Sequence, residues 1–93
     1  MKLYEAYLKE IIDRSKIELG PKPIDKADLV VEIIDIILGP KSSNRDDALK
    51  HFIYNTLPGT TDAASVKAKF LKNLILEHDT IEEIDRNLAF KLL

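Results

Sequence analysis

Several residue types are absent or scarce in this chain, and each absence excludes a class of function. The 93 residues include no cysteine. The chain therefore cannot form a disulfide, supply thiolate ligands to zinc or an iron–sulfur cluster, or use a cysteine nucleophile. Only three glycines are present, which leaves no room for a glycine-rich loop that cradles phosphate.

An excess of charge of one sign and long apolar runs are also lacking. Fourteen basic and sixteen acidic residues give a net charge of −2, which does not favour nucleic acid or an anionic membrane as partner. No apolar run approaches the roughly 20 residues that cross a bilayer, and four charged residues interrupt the first ten, unlike a secretory signal. With 45% hydrophobic and 32% charged residues, residues 1–93 are predicted to form one small, soluble, cytoplasmic domain.

Helical periodicity is the strongest pattern that is present. Apolar residues recur at i, i+3, i+4 and i+7 in five segments, and signals such as Gly20-Pro21 and Gly39-Pro40 separate them, because proline cannot continue a helix. The predicted fold is all-α. The predicted helices span about residues 2–19, 26–38, 44–57, 63–77 and 81–93.

The predicted helix starts carry side chains that accept hydrogen bonds from the free amides of a first turn. The fifth helix reaches the last residue without a stop signal, so we expect a fragment of a larger protein. The predicted N-caps are Asp25, one of Ser42, Ser43 or Asn44, Asp62, and Thr80 with Glu83 as a capping box.

A leucine recurs every 19 residues near the predicted helix ends, at Leu19, Leu38, Leu57 and Leu76. Two such units make a helical hairpin slightly shorter than the ~40–47 residues of HEAT and armadillo repeats, and short loops make neighbouring helices antiparallel. We therefore predict antiparallel α-hairpins stacked as a HEAT-like bundle of about five helices, with the second helix at its centre. The alternative is that four helices of ordinary length coincide in this spacing by chance.

Few residues suggest chemistry. His51 follows Asp47 by four residues, so the two could form an acid–base pair. The alternative is an ordinary surface contact, because no nucleophile stands at helical spacing beside them. His78 lies between Glu77 and Asp79, a set of side chains that could bind a metal. Consecutive loop residues cannot converge on one ion without a second liganding segment, so a polar loop between two helices is the simpler interpretation. We predict no catalytic, cofactor-binding or metal-binding residue in this chain.

A local basic excess lies on the predicted fourth helix, at Lys67, Lys69 and Lys72. Such a group is a possible interaction surface and could bind RNA phosphates. The alternative is the ordinary solvated face of a helix, since the pattern predicts no exposed aromatic residue beside the lysines for base stacking.

Three segments occur in an order and spacing known from one family. Residues 20–25, Gly-Pro-Lys-Pro-Ile-Asp, are similar to its Ala-Pro-Lys-Pro-Leu-Asp connector. Residues 55–71 match a segment in which Asn and Asp are seven residues apart and Val-Lys-Ala-x-Phe-Leu follows. Residues 87–93 are similar to its Lys-Ala-Ile-Glu-Leu-Leu. The chain thus resembles the N-terminal helical domain of the bacterial B-type aconitate hydratases, although Pro58 stands where that family usually has two prolines.

The resemblance implies a parent lyase of the tricarboxylic acid cycle that interconverts citrate and isocitrate, with a 4Fe–4S cluster and a serine base supplied by domains beyond Leu93. It implies that this domain is HEAT-like, takes part in dimerisation and the substrate route, and is not catalytic alone. Its implied partners are the remaining aconitase domains, a second copy and messenger RNA, with no membrane. The alternatives are a stand-alone helical adaptor, or an RNA-binding module using the Lys67, Lys69 and Lys72 face.

Overall fold

The computed structural model describes residues 2–57, 59, 61–76 and 80–93. Within these ranges the chain forms five helices and no strand, and one isolated bridge pairs Ile81 with Ile84. The predicted all-α bundle is confirmed. None of the helices in these ranges is long and apolar enough to span a membrane. The helices are α1 (Lys2–Ser15), α2 (Ala27–Ile37), α3 (Ser43–Asn55), α4 (Asp62–Ile75) and α5 (Arg86–Leu92).

The helix α2 lies at the centre of the bundle, as predicted. It packs against α1, α3 and α4, and α4 also packs against α5. Val30, Ile33 and Ile37 of α2 are completely buried, and each such side chain contributes about 1.5–3 kcal/mol to stability. Phe52 of α3 meets Phe70 of α4 edge to face, with ring centroids 5.6 Å apart. The core therefore forms around α2.

The carboxylate of Glu32 on α2 caps the start of α1. Its two oxygens accept hydrogen bonds from the backbone nitrogens of Leu3 and Tyr4, each at 3.2 Å. The first amides of a helix have no partner within it, and a negative charge there is favoured by the helix dipole. The second helix thus supplies a cap for the start of the first.

The helix α1 ends at Ser15, a turn earlier than the predicted end at residue 19. Glu18 adopts a left-handed conformation with φ 62°, its backbone nitrogen donates to the Ser15 carbonyl at 3.1 Å, and that of Leu19 donates to the Arg14 carbonyl at 3.0 Å. This is a Schellman ending, usually made by glycine. The chain therefore leaves the helix before it reaches Gly20.

The predicted N-caps of α2 and α4 are each displaced by one residue. Lys26 occupies the N-cap position of α2 with an extended backbone and no capping side-chain bond, so the prediction for Asp25 is wrong. In α4 the Thr61 hydroxyl accepts from the Ala64 nitrogen at 3.1 Å, and Asp62 is the first helical residue. In α3 the cap is Ser42, one of the three predicted residues.

The helix α5 begins at Arg86 rather than at residue 81. Its N-cap is Asp85, whose carboxylate lies 2.8 Å from the backbone nitrogen three residues further on. Glu83 is paired with Arg45 of α3 instead, so the predicted capping box with Thr80 does not form. Residues 81–84 form a turn held against the bundle, and α5 is left only 7 residues long.

Arg45 connects three parts of the fold. It is 5% exposed, its Nε donates to the Ile37 carbonyl oxygen at 2.7 Å, and its two terminal nitrogens bind both carboxylate oxygens of Glu83. Bidentate arginine–carboxylate pairs fix geometry as well as charge. The turn before α5 is therefore held at the point where α2 ends and α3 begins, and an exposed Lys41–Glu82 pair lies beside it.

The four leucines spaced by 19 residues are all surface residues. Their exposed fractions are 46–57%, and each lies just beyond the end of a helix or its last turn. The spacing thus reflects helix-plus-turn units and does not mark core positions. One of the four, Leu76, lines a groove between α4 and α5.

Candidate interaction surface

Lys67, the first residue of the predicted basic face, is buried inside the protein. It is 3% exposed, and its Nζ donates to the carbonyl oxygens of Ile53 at 3.2 Å and Thr56 at 2.5 Å. The same nitrogen lies 5.4 Å from the ring centroid of Phe52, within cation–π range. Burial lowers the pKa of Lys67. This lysine caps the end of α3 and is not part of an exposed basic surface.

Lys69 and Lys72 do lie on the surface, on the outer side of α4. Neither forms a hydrogen bond or an ion pair with any residue in the described ranges. Both line a groove between α4 and α5. Two of the three predicted residues therefore share a surface, and that surface is largely apolar.

This α4–α5 groove has a volume of about 600 Å³. Its most exposed apolar side chains are Leu76 (55%), Phe90 (61%) and Leu93 (51%). Exposed large apolar residues gathered in one place are a feature of interaction surfaces. The described residues that line the groove are Ala68, Lys69, Lys72, Ile75, Leu76, Phe90 and Leu93.

The packing of α5 against the bundle explains which residues reach this groove. Ala89 of α5 is completely buried against the bundle, and the next residue, Phe90, is turned about 100° around the helix axis. Phe90 of α5 and Leu93, the C-cap residue that follows the helix, therefore lie beside the exposed face of α4. In the sequence, the signal for this groove was an apolar residue, Phe90, at a helix position that faces solvent.

A second groove, between α2 and α4, adjoins the first at Lys69, which lines both. Its volume is about 210 Å³, and Val31 and Leu38 at its α2 side are 48% and 46% exposed. Asp35 lines it on the α2 side and Lys69 on the α4 side. The two grooves thus meet at Lys69 on the outer side of α4.

A polar cluster joins α1, α3 and the connector between α1 and α2. The amide nitrogen of Asn55 donates to the Tyr7 hydroxyl at 3.1 Å and lies 2.9 Å from His51 Nδ1. The Tyr7 hydroxyl donates to the Lys22 carbonyl oxygen at 3.2 Å. Burial lowers the pKa of His51, while the charge of Asp47 acts in the opposite direction. The partner of His51 among the described residues is therefore Asn55, and no bond to Asp47 forms.

The two tyrosines of α1 pack edge-on against the His51 ring. The centroid distances are 6.1 Å for Tyr4 and 5.4 Å for Tyr7. Burial, with smaller contributions from Asp47 and Tyr7, raises the pKa of Tyr4 to about 12. These groups are packed into the junction of α1 and α3, and they hold the two helices together.

Among residues 2–57, 59, 61–76 and 80–93, no three His, Asp or Glu side chains are placed to hold a metal ion. The predicted alternative at His78, with Glu77 and Asp79, lies outside the described residues.

Comparison with known proteins decides the family. The family described as "Aconitate B N-terminal domain" matches residues 6–93. This chain belongs to that family. The Aconitate hydratase B of Pseudomonas aeruginosa is 28% identical to it over 91 residues, which is 98% of this chain and 10% of that relative. This aconitate B N-terminal domain therefore spans about a tenth of the length of the relative it matches.

Residues of the segment 55–71 bind the connector between α1 and α2 and cap two helices. Asn55 binds the connector through its backbone oxygen, which accepts from the Ile24 nitrogen at 2.8 Å. Thr61 caps α4, and Lys67 caps α3. These contacts give a physical reason for the segment that carries the resemblance.

The family implies an iron–sulfur cluster in the parent enzyme. Cysteine thiolates hold such clusters, and this aconitate B N-terminal domain contains no cysteine. Its residues therefore do not fit a cluster, and no catalytic step can be assigned to them on that basis.

Proposed function

We propose that this chain is a non-catalytic protein-interaction and scaffold domain of an aconitate hydratase, the enzyme that interconverts citrate and isocitrate. In that role it contributes to dimerisation and to the substrate route of the enzyme. The observation that carries the proposal is the exposed apolar α4–α5 groove, in a chain that belongs to the aconitate B N-terminal domain family.

The groove supports docking because its apolar side chains are not covered within the described chain. Leu76, Phe90 and Leu93 are each more than half exposed. Covering apolar surface on association contributes about 25 cal/mol per Å² before the costs of association are subtracted. A neighbouring domain that fills the groove would therefore gain binding energy there.

The buried polar groups support a scaffold rather than a reaction centre. Arg45 and Lys67 are 5% and 3% exposed, and both donate to backbone carbonyl oxygens at helix ends. His51 is packed between tyrosines and Asn55. Each of these groups fixes one helix relative to another, so the bundle offers a surface of constant shape.

The proposal is tested in a hybrid enzyme. This chain replaces the 91-residue segment that it matches in the Pseudomonas aeruginosa Aconitate hydratase B, and Phe90→Glu is then introduced. A carboxylate forced into an apolar contact without a partner costs several kcal/mol. We expect the substituted hybrid to lose dimer in sedimentation equilibrium, and its activity to decay at a lower temperature than that of the unsubstituted hybrid.

The matched control is Tyr54→Glu, because Tyr54 is a 73% exposed aromatic residue of α3 that lines neither groove. This variant should behave like the unsubstituted hybrid. Equal behaviour of Phe90→Glu and Tyr54→Glu, or a hybrid that does not assemble at all, would contradict the proposal. The isolated chain, treated with iron and sulfide, should show no turnover of cis-aconitate; turnover would contradict the non-catalytic part.

The two alternative functions predict different results. A stand-alone helical adaptor would not restore assembly in the hybrid. An RNA-binding module would use Lys67, Lys69 and Lys72 together, but Lys67 is bound to Ile53 and Thr56 inside the protein. Two exposed lysines next to an apolar wall favour a protein partner over RNA.

A further inference from the structure

The α4–α5 groove combines an apolar wall with positive charge on a protein whose net charge is negative. The chain has 14 basic and 16 acidic residues, yet the described lining includes Lys69 and Lys72 and no Asp or Glu. Neither lysine is paired with any residue in the described part of the chain. The two ammonium groups therefore stay available to carboxylates of a partner.

The arrangement of the lining matches the side of one helix. Lys69, Lys72 and Leu76 occupy positions i, i+3 and i+7 of α4 and its C-cap, which lie on one stripe. At about 1.5 Å per residue this stripe is about 10 Å long, or two turns of a partner helix. Ala68 in the same groove projects little, so a partner can come close to α4.

We propose that the α4–α5 groove binds an acidic amphipathic helix of a protein partner. Apolar side chains on one face of that helix contact Leu76, Phe90 and Leu93, and carboxylates three or four residues apart along its edge pair with Lys69 and Lys72. An amphipathic helix laid in an apolar groove is a recurring mode of recognition. This inference rests on the proposed function in using the same groove, and it adds the chemistry of the partner.

The groove favours a helix over RNA for two reasons. Its α5 side presents Phe90 and Leu93, which offer nothing to phosphate. Single-stranded RNA is bound by a positive track together with several aromatic platforms, whereas the described lining has two lysines and one aromatic ring. RNA binding is therefore the competing outcome of the experiment.

The experiment is a selection from a displayed library of 18-residue helices with randomised outer positions. The immobilised 93-residue chain is the bait, and its Phe90→Ser variant removes helices that bind elsewhere. We expect the enriched helices to carry leucine, isoleucine or phenylalanine on one face and an excess of Glu and Asp beside it. One enriched peptide is then measured by fluorescence anisotropy at two salt concentrations.

The expected affinities follow from the two kinds of contact. Phe90→Ser should weaken the peptide at least about tenfold, because buried aromatic anchors dominate binding energy. The double variant Lys69→Glu/Lys72→Glu should weaken it about three- to tenfold or more and reverse its salt dependence. The controls are Tyr54→Ser and Lys9→Glu, both exposed and outside the groove, which should leave the affinity unchanged.

Three results would overturn the inference. They are no enrichment above the Phe90→Ser bait, enriched helices without an acidic excess, and tighter binding of a uridine 20-mer that depends on Lys69 and Lys72. Each leaves the hybrid-enzyme test unaffected. If Phe90→Glu disrupts the hybrid while the selection yields neutral or basic helices, the proposed function stands and the acidic partner does not.

Discussion

The ammonium group of Lys67 lies 2.5 Å from the carbonyl oxygen of Thr56, at the end of the preceding helix in the chain. The last carbonyls of a helix have no intrahelical donor, and they carry the negative end of the helix dipole. A cation placed there donates hydrogen bonds to these carbonyls and is attracted by the negative end of the dipole. The burial of Lys67 also lowers its pKa, because the ammonium group has exchanged water for the carbonyl oxygens of Ile53 and Thr56.

Replacing Lys67 with methionine should destabilise the protein by about 2–4 kcal/mol, because the carbonyls of Ile53 and Thr56 lose their donor while they stay buried. Urea unfolding followed by circular dichroism measures this. Lys69→Met on the exposed side of the same helix should change the free energy of unfolding by less than about 0.5 kcal/mol. Similar losses in both variants would show that Lys67 is not a buried cap.

The pair of neighbouring glutamates before α5 gives a second prediction. Glu83→Gln should lower the unfolding free energy by about 1–3 kcal/mol, since it removes the carboxylate from the buried Arg45 guanidinium. Glu82→Gln removes the partner of Lys41 in an exposed pair, whose side chains are 77% and 68% exposed, and should cost about 0–1 kcal/mol. A reversed order would refute the anchoring role of Arg45.

The Arg45–Glu83 pair makes the stability of the fold depend on pH in the acid range. Hydrogen bonds from Arg45 are the largest cause that lowers the pKa of Glu83 below its ordinary 4.5. The pair therefore contributes its full stability above pH 4.5 and loses it as the pH falls through the lower pKa of the folded state. Urea unfolding between pH 6 and pH 3 should show a smaller decline for Glu83→Gln than for the unsubstituted protein.

His51 should affect stability at a higher pH. Its pKa is lowered by burial, so the folded protein favours the neutral ring whose Nδ1 faces the Asn55 amide. This contribution is complete above pH 6.5 and is lost as the pH falls through the folded-state pKa. The difference in unfolding free energy between pH 7.5 and pH 5.5 should shrink in His51→Gln. An NMR titration of His51 that gives a pKa above 6.5 would contradict this account.

The start of α5 can be tested with one substitution at each of two candidate caps. Asp85→Ala should cost about 1 kcal/mol, because the Asp85 carboxylate accepts from the Leu88 nitrogen at 2.8 Å. Thr80→Ala should be close to neutral, since α5 does not begin there. Amide hydrogen exchange should rise in residues 86–89 of the Asp85 variant alone. Loss of stability in the Thr80 variant would indicate that the helix extends back to residue 81.

The sequence predicted helix existence well and helix ends poorly. Periodicity over 11 to 14 residues located α1 to α4, because a buried stripe needs its apolar residues at helical spacing. The fifth start was wrong because the capping box competes with a contact that sequence separation hides: Glu83 binds Arg45, 38 residues away. A local rule cannot include a partner at that distance.

The sequence located the lysines of the α4–α5 groove only in part, for a similar reason. Lys69 and Lys72 lie in the groove as a lysine-rich helix face suggests, but Lys67 is two residues from Lys69 and points to the opposite side, towards α3. The apolar half of the groove depends on where α5 packs against α4, and that placement was not available from the pattern of either helix alone.

The cap that Glu32 provides for α1 has a consequence for synthesis on the ribosome. The first helix leaves the exit tunnel before the residue that completes its hydrogen bonds, since Glu32 is 28 and 29 residues further along the chain from Tyr4 and Leu3. Until α2 emerges, the nascent α1 lacks this carboxylate and the buried face against which it packs. We therefore expect α1 to become fully ordered only after α2 has been synthesised and can pack against it.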